Sequence, residues 1–474
     1  MTPHPSKPTQ AAQLFQSPAP AQLHTVSHDL PVSPALDAYM ADRWAPSAPA
    51  SGARVPGFEH FAGRRARLAA RFPGERLVIP AGELKVRSND CDYRFRPHSA
   101  YAWLTGLTTE DQPGHVLVIE PDGDAVLYVR PRSPRSDGRG EFFRDRRYGE
   151  FWVGRRPDLD EAAQLTGIRC AHLDDYTPSA AERRAHTDQE LAAALSELRL
   201  VKDAWEVGQI QLAVDHTTAG FEDVVRSLPA ALAHRRGERW IEGVFNLRAR
   251  AEGNGPGYDT IAAAGAHACV LHWIRNDGPL DRDRLLLLDA GVETDSLYCA
   301  DITRTLPLSG RFSPVQRQVY DLVLAAQDAG IAALKPGASF RDFHRACSAV
   351  LAEGLHDWGV LRVSPEESLR ADSGLHRRYS LCSSGHMLGL DLHDCAQARA
   401  DQYLDGVLEE GQVLTVEPGL YLQPDDETLP WELRGIGVRI EDDLVITSEG
   451  ARLMSHALPR EATAVEDWMG NLLA

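Results

Sequence analysis

The stretch Leu285-Leu-Leu-Leu-Asp289-Ala-Gly-Val-Glu-Thr-Asp-Ser-Leu-Tyr-Cys-Ala-Asp301-Ile-Thr-Arg-Thr305 decides how the chain is read. Four consecutive leucines, bounded by Asp281-Arg-Asp-Arg284 and Gly291, predict a buried strand. That strand ends on a carboxylate, Asp289. After a hairpin-length excursion a second carboxylate, Asp301, opens another apolar-alternating run. Pairing the two strands would set Asp289 beside Asp301. Two buried carboxylates repel each other and need a cation between them, for which a hard divalent metal is suited. Taken alone, the pattern fits equally well two solvated aspartates at the ends of a surface hairpin.

Three later stretches add to it. Ser384-Gly-His386-Met-Leu-Gly-Leu-Asp-Leu-His393 places two histidines among apolar residues, and they need a bend between them to converge. Val413-Leu-Thr-Val-Glu417-Pro-Gly-Leu-Tyr421 ends a strand on a glutamate, with Pro418 and Gly419 forcing a sharp turn. In Gly435-Ile-Gly-Val-Arg439-Ile-Glu441-Asp-Asp443, period-two alternation sets Arg439 and Glu441 on one face of a single strand. If these converge, Asp289, Asp301, Glu417 and Glu441 are balanced in charge by two divalent ions. The imidazole of His386 shifts preference from calcium or magnesium towards manganese, cobalt, iron or zinc. Two metals sharing a water-derived hydroxide form a hydrolytic centre.

The rest of the chain supplies the setting. With 474 residues, two domains are expected, with an extension rich in Pro, Ala, Ser and Gln over residues 1–55. That extension reads as a loosely attached, mostly disordered tail; Leu36, Tyr39, Met40 and Trp44 fall at helical spacing and offer a docking segment as the alternative. Residues 56–200 alternate strands and helices, including a basic helix from Phe61 and strands at Arg76–Pro80, Val116–Glu120 and Ala125–Val129. They hold no phosphate-cradling glycine motif. Residues 201–474 read as an α+β domain: a helix from Ala204 closed by Pro229, a strand-like run from Ile261 to Ile274 carrying His267 and His272, a helix opened by the capping box Ser313/Gln316, another after Ser339, and strands from Tyr379 onward. A net charge of −18 argues against nucleic acid or an anionic membrane as partner. Seven scattered cysteines and the absence of a signal-peptide core fit a reducing, cytoplasmic setting.

From about Phe58 to Ile446 these phrases, in this order, resemble the pita-bread metallopeptidases and specifically the aminopeptidase P (Xaa-Pro aminopeptidase) family. The phrases are Leu-Asp-Ala-Gly, Asp-Ile-Thr-Arg-Thr, Thr-Val-Glu-Pro-Gly-Leu-Tyr and Arg-Ile-Glu-Asp-Asp. The resemblance implies a creatinase-like α/β N-terminal domain and a pita-bread C-terminal domain with a curved, mainly antiparallel sheet. It implies two metal ions, manganese first with cobalt or zinc as alternatives: Asp289 on one, Asp301 and Glu441 bridging, His386 and Glu417 on the other. It implies a bridging hydroxide that cleaves the bond before proline in peptides with proline second, Glu417 moving the proton, and His272 and His393 holding substrate and oxyanion. It further implies Arg439 orienting the carboxylates with Tyr421 as its partner, and a dimer or tetramer.

The sequence departs from the family twice. One extra residue lies between Asp289 and Asp301, which a β-bulge would absorb. Cys382 stands where the family has a substrate-facing histidine, four residues before His386. The expectation is a chain that binds metal normally and turns over standard peptides slowly. A Xaa-Pro dipeptidase, a non-hydrolytic peptide-binding module and a hydrolase of small guanidino compounds are the rival readings.

Overall fold

The chain divides into two compact units between Gln189 and Glu190. The structure, a computed structural model, describes residues 31–45, 52–89, 91–110, 112–133, 135 and 141–474. The extension expected over residues 1–55 therefore lies in good part outside the described residues. Where it is described, Ser33 accepts from the Leu36 N–H and caps helix α1 (Pro34–Met40). Asp37 pairs with Arg144 at 2.8 Å and the Trp44 ring meets Phe142 edge-on at 5.1 Å. This segment touches Arg144 and Phe142, while Leu36 and Tyr39 of the expected docking face stay exposed.

In the first unit, helix α2 (Phe58–Arg71) buries Phe61 and Leu68 together with Arg64 and Arg65. Both arginines reach the C-terminal turn of helix α3 (Ser99–Thr105), donating to the carbonyls of Trp103 (3.2 Å) and Leu104 (2.7 Å). Cations are favoured there by the unpaired carbonyls of a helix end. The expected basic helix thus turns Arg64 and Arg65 inward. Strands β1 (Leu77–Pro80), β2 (Val116–Ile119), β3 (Ala125–Val129), β4 (Arg169–His172) and β5 (Arg183–Arg184) form one mixed sheet in the order β4-β3-β2-β1-β5. The β2–β3 hairpin is antiparallel, with Val116 opposite Tyr128.

The second unit opens with helix α4 (Ala204–Ala233), started by a reciprocal capping box between Asp203 and Glu206. The helix does not stop at Pro229. It runs one further turn, because Leu228 and Ala231 are both buried and hold that turn against the core. Helix α5 (Gly237–Glu252) packs along it. Strands β6 (Ile261–Ala264), β7 (Leu285–Ala290) and β8 (Ile302–Pro307) form an antiparallel sheet in the order β8-β7-β6. All four leucines of β7 are buried, each contributing about 1.5–3 kcal/mol of apolar burial. Helices α6 (Pro314–Ala333), capped as expected by Ser313 and Gln316, and α7 (Arg341–Asp357) pack together. They share one core with strands β9 (Val413–Val416), β10 (Gly419–Leu422), β11 (Ile436–Arg439) and β12 (Asp442–Thr447). Strand β13 (Gly450–Leu453) and helix α8 (Ala462–Leu473) close the chain. No helix among the described residues is long and apolar enough to cross a membrane.

Four local expectations are corrected. The run from Ile261 stays a strand only to Ala264 and then turns into a 3-10 segment, Gly265–Cys269. Residues 380–412 are mostly irregular rather than stranded. The single strand expected over Gly435–Asp443 is two strands in different sheets, broken at Ile440 and Glu441, where the Glu441 N–H turns to the Thr303 carbonyl of β8 (3.1 Å). The β7–β8 ladder is regular from Leu285↔Pro307 to Ala290↔Ile302, so no bulge absorbs the extra residue. It is taken up in the connecting turn, where Leu297 sits at φ 69°.

Candidate metal centre

The β7–β8 register places Asp289 opposite Thr303, with Asp301 just before β8 begins. Tyr258, the last residue of the glycine-rich turn after α5, joins the two acids. Its hydroxyl lies 2.6 Å from Asp289 Oδ1 and 2.6 Å from Asp301 Oδ1. Glu441, at the break between β11 and β12, accepts from Thr303 Oγ1 at 2.7 Å. His386 Nε2 lies 3.2 Å from Asp301 Oδ2 and 3.4 Å from Glu417 Oε1. The four acids and the one imidazole marked out in the sequence are thus brought to one place.

Each is held by local backbone. His386 Nδ1 is 3.1 Å from the Met387 carbonyl, which only accepts, so that nitrogen carries the proton and Nε2 faces the acids. The segment before it lies against β9: His386 N–H donates to Thr415 Oγ1 (3.1 Å) and Glu417 N–H to the Ser384 carbonyl (2.8 Å). A Cβ on Gly385 would stand 2.1 Å from the Thr415 carbonyl oxygen, so this approach needs glycine. Arg439 is 4% exposed and runs through the middle of the network. It pairs with Asp289, donates to Thr303 Oγ1 (3.1 Å) and donates to the buried Tyr421 hydroxyl (2.9 Å). Asp443, two residues after Glu441, accepts the Asp301 N–H at 3.1 Å.

The charges report crowding. Burial, then the charges of Asp301, Glu417 and Asp289, hold the Glu441 carboxyl well above its usual range. Burial pushes Glu417 up to about 7 against the pull of His386. Burial opposes a charged His386, yet Asp301 and Glu417 outweigh it and push the imidazole up to about 9. Glu441 Oε1 and Asp443 Oδ1 are buried with no hydrogen-bond partner among the described residues. Asp301, His386 and Glu441 each offer a donor atom, and these lie within 4.8 Å of one another. Carboxylates that hold protons for want of a counter-charge, an orphaned buried oxygen and one correctly turned imidazole fit a divalent cation.

Comparison with known proteins gives the same result. Residues 208–448 match Metallopeptidase family M24, and residues 61–191 match the aminopeptidase P N-terminal domain. The chain belongs to metallopeptidase family M24. It is 54% identical to Xaa-Pro aminopeptidase 1 of Streptomyces coelicolor over 87% of each chain. It is 30% identical to the Xaa-Pro aminopeptidase of Escherichia coli, over 87% of this chain and 97% of that one. Among solved structures, aminopeptidase P from E. coli with the inhibitor Pro-Leu superposes with a TM-score of 0.76 at 27% identity, over 89% of this chain and 99% of that one. Aminopeptidase PepP from Pseudomonas aeruginosa gives 0.75 at 29% identity, over 88% and 99%. The fold is therefore that of M24 enzymes of the aminopeptidase P type, with the creatinase-like first unit and the pita-bread second unit.

Around the M24 centre, the His386 and His393 rings meet edge-on at 4.3 Å. His393 is exposed, and burial and the neighbouring His386 and His272 lower its basicity against the pull of Asp301. His272 is likewise exposed. Cys382 is exposed, with a thiol that burial and Glu417 hold above its usual range. His267 goes elsewhere, stacking on Trp273 at 3.8 Å and facing Glu238 at 2.7 Å. Tyr258, Asp443 and Glu238 are the members that the sequence reading passed over. Glu238 carried a signal: it shares the helical stripe of Ile241, Phe245 and Ala249, a charge on a buried face.

Proposed function

We propose that this chain is a dinuclear-metal Xaa-Pro aminopeptidase that releases the N-terminal residue from peptides whose second residue is proline. The observation that carries the reading is the convergence of Asp289, Asp301, His386, Glu417 and Glu441 on one buried site with an orphaned carboxylate oxygen. These five would hold two divalent ions, manganese first. When bound, the ions supply Lewis-acid polarisation and a nucleophile at neutral pH. Glu417 accepts a proton from the attacking water and returns it to the leaving proline nitrogen, work of about 10²–10⁴-fold. His272 and His393, on the exposed side, donate to the substrate carbonyl as negative charge develops on its oxygen. Arg439 keeps Asp289 in place and is itself steadied by Tyr421 and Thr303.

The test is metal-stripped protein assayed with and without manganese on Arg-Pro-Pro, Arg-Pro and Arg-Ala-Pro. Manganese-dependent cleavage of Arg-Pro-Pro with Arg-Ala-Pro untouched is expected. Cleavage of Arg-Pro alone makes it a dipeptidase. No cleavage with two metals bound removes the peptidase reading.

A further inference from the structure

The loop from Met387 to Cys395 carries His393 away from β9 and back without regular structure. It closes on itself through the Asp394 N–H, which donates to the Met387 carbonyl at 2.8 Å. Beneath it lie three buried charges. Lys202 Nζ is 2.9 Å from Asp394 Oδ2; Arg199 Nη2 is 3.1 Å from Asp394 Oδ1 and 3.0 Å from Asp391 Oδ2. The Lys202 and Asp394 side chains are each 1% exposed. A Cβ on Gly389 would meet Asp394 Oδ2 at 2.3 Å and Lys202 Cε at 3.0 Å, so the backbone closes over the ion pair only with glycine there. The Gly389 carbonyl accepts the Cys299 N–H at 3.0 Å, tying the loop to the turn between Asp289 and Asp301.

Buried ions are a poor device for stability, since well-packed apolar side chains do as well or better. What they give is one geometry. Here the cluster touches both acids of the loop, one of them the neighbour of His393. We propose that the buried Lys202–Asp394–Arg199 cluster positions His393 against His386 and the acidic centre, so that Lys202 and Arg199 act on the reaction through a histidine neither of them touches. The effect on turnover rests on the aminopeptidase reading; the placement of His393 does not.

The experiment uses Lys202→Met, Lys202→Arg, His393→Ala and the double variant Lys202→Met/His393→Ala, each loaded with manganese. Lys202→Met is expected to lower kcat on Arg-Pro-Pro by about 10–100-fold, the range for lost outer support of a site, with metal content unchanged and partial recovery in Lys202→Arg. In the His393→Ala background it should cost almost nothing further. A crystal structure of Lys202→Met should show the His393 ring displaced while Asp289, Asp301 and Glu441 stay in place. Losses that multiply independently, a His393→Ala variant with full turnover, or an unmoved His393 ring overturns the proposal. If Lys202→Met does not fold, Arg199→Met, which leaves the Lys202–Asp394 pair intact, is put through the same cycle with a smaller loss expected. If the wild type leaves Arg-Pro-Pro intact, the aminopeptidase reading falls and the His393 position still decides the cluster's role.

Discussion

The two sides of the centre are built differently. The acidic side stands on or next to strands: Asp289 is the last but one residue of β7, Asp301 precedes β8, and Glu441 sits where β11 gives way to β12. Its geometry is inherited from ladder register, which a one-residue slip would invert. The histidine side stands on irregular chain. His272 follows a 3-10 segment, His386 a glycine at φ 156°, and His393 a loop closed on itself. Its geometry depends on single buried side chains, Glu238 under one loop and Lys202 under the other. Register is robust and tells nothing about reactivity. The loops hold His272 and His393, proposed to meet substrate, and can be disturbed one contact at a time.

The largest expected effect breaks the acidic side. Asp301→Asn keeps shape but removes the charge that faces Tyr258 and His386 at 2.6 and 3.2 Å. Metal content measured by elemental analysis should fall, and turnover should drop by on the order of 10³-fold. Retained metal with full turnover would remove Asp301 from the centre.

The histidine side should fail in another way. Glu238 accepts from the Ala264 N–H (2.8 Å), faces His267 Nδ1 (2.7 Å) and accepts from Trp273 Nε1 (2.9 Å) and the Gly278 N–H (2.6 Å). It therefore organises the whole turn that carries His272. Glu238→Gln is isosteric, yet its NH₂ must face donors that the carboxylate accepted. Turnover on Arg-Pro-Pro should fall about 10–100-fold, with metal content unchanged. Loss of metal in this variant would show that the two sides are not separately supported.

This contrast also explains what was legible. The leucine run, the acid at its end and the Ser313 capping box are local patterns, and the strands and helices that follow from them are present. Pro229 misled because local breaking strength was outweighed by burial of Leu228 and Ala231. The run from Ile261 misled because it is apolar throughout, so period could not separate a strand from a buried turn. Tyr258, Lys202 and Asp443 matter only through partners 31 or more positions away, as with Tyr258 and Asp289; no spacing announces that.

A smaller effect separates protons from metal. In metal-free protein Glu417 rises from an ordinary 4.5 to about 7, and His386 from 6.5 to about 9. A group whose folded value is raised stabilises the fold below its ordinary value and loses that contribution as pH rises through the folded one. Both groups have this sign, so metal-free protein should melt progressively lower from roughly pH 5 to pH 9. Manganese, taking the place of the protons, should flatten that decline and bind more tightly as pH rises. A metal-free melting temperature that rises over this window would mean that the acids are not crowded as the structure has them.

The smallest effect concerns Cys382, on the histidine side but exposed and outside the buried supports. Burial and the Glu417 carboxylate hold its thiol above the usual range, against the pull of Arg439 and Arg377. A thiol is a weak hydrogen-bond donor, whereas an imidazole at the same position reaches further and donates well. Cys382→His should therefore raise kcat on Arg-Pro-Pro by up to about tenfold, well short of the 10²–10³ of a fixed donor because this segment is open to solvent. Metal content should not change, since none of the five residues gathered at the acidic centre is altered. A gain in turnover at constant metal content would place the limit on rate in the substrate-facing loop. No gain would remove Cys382 as the cause of the slow turnover that the sequence leads one to expect.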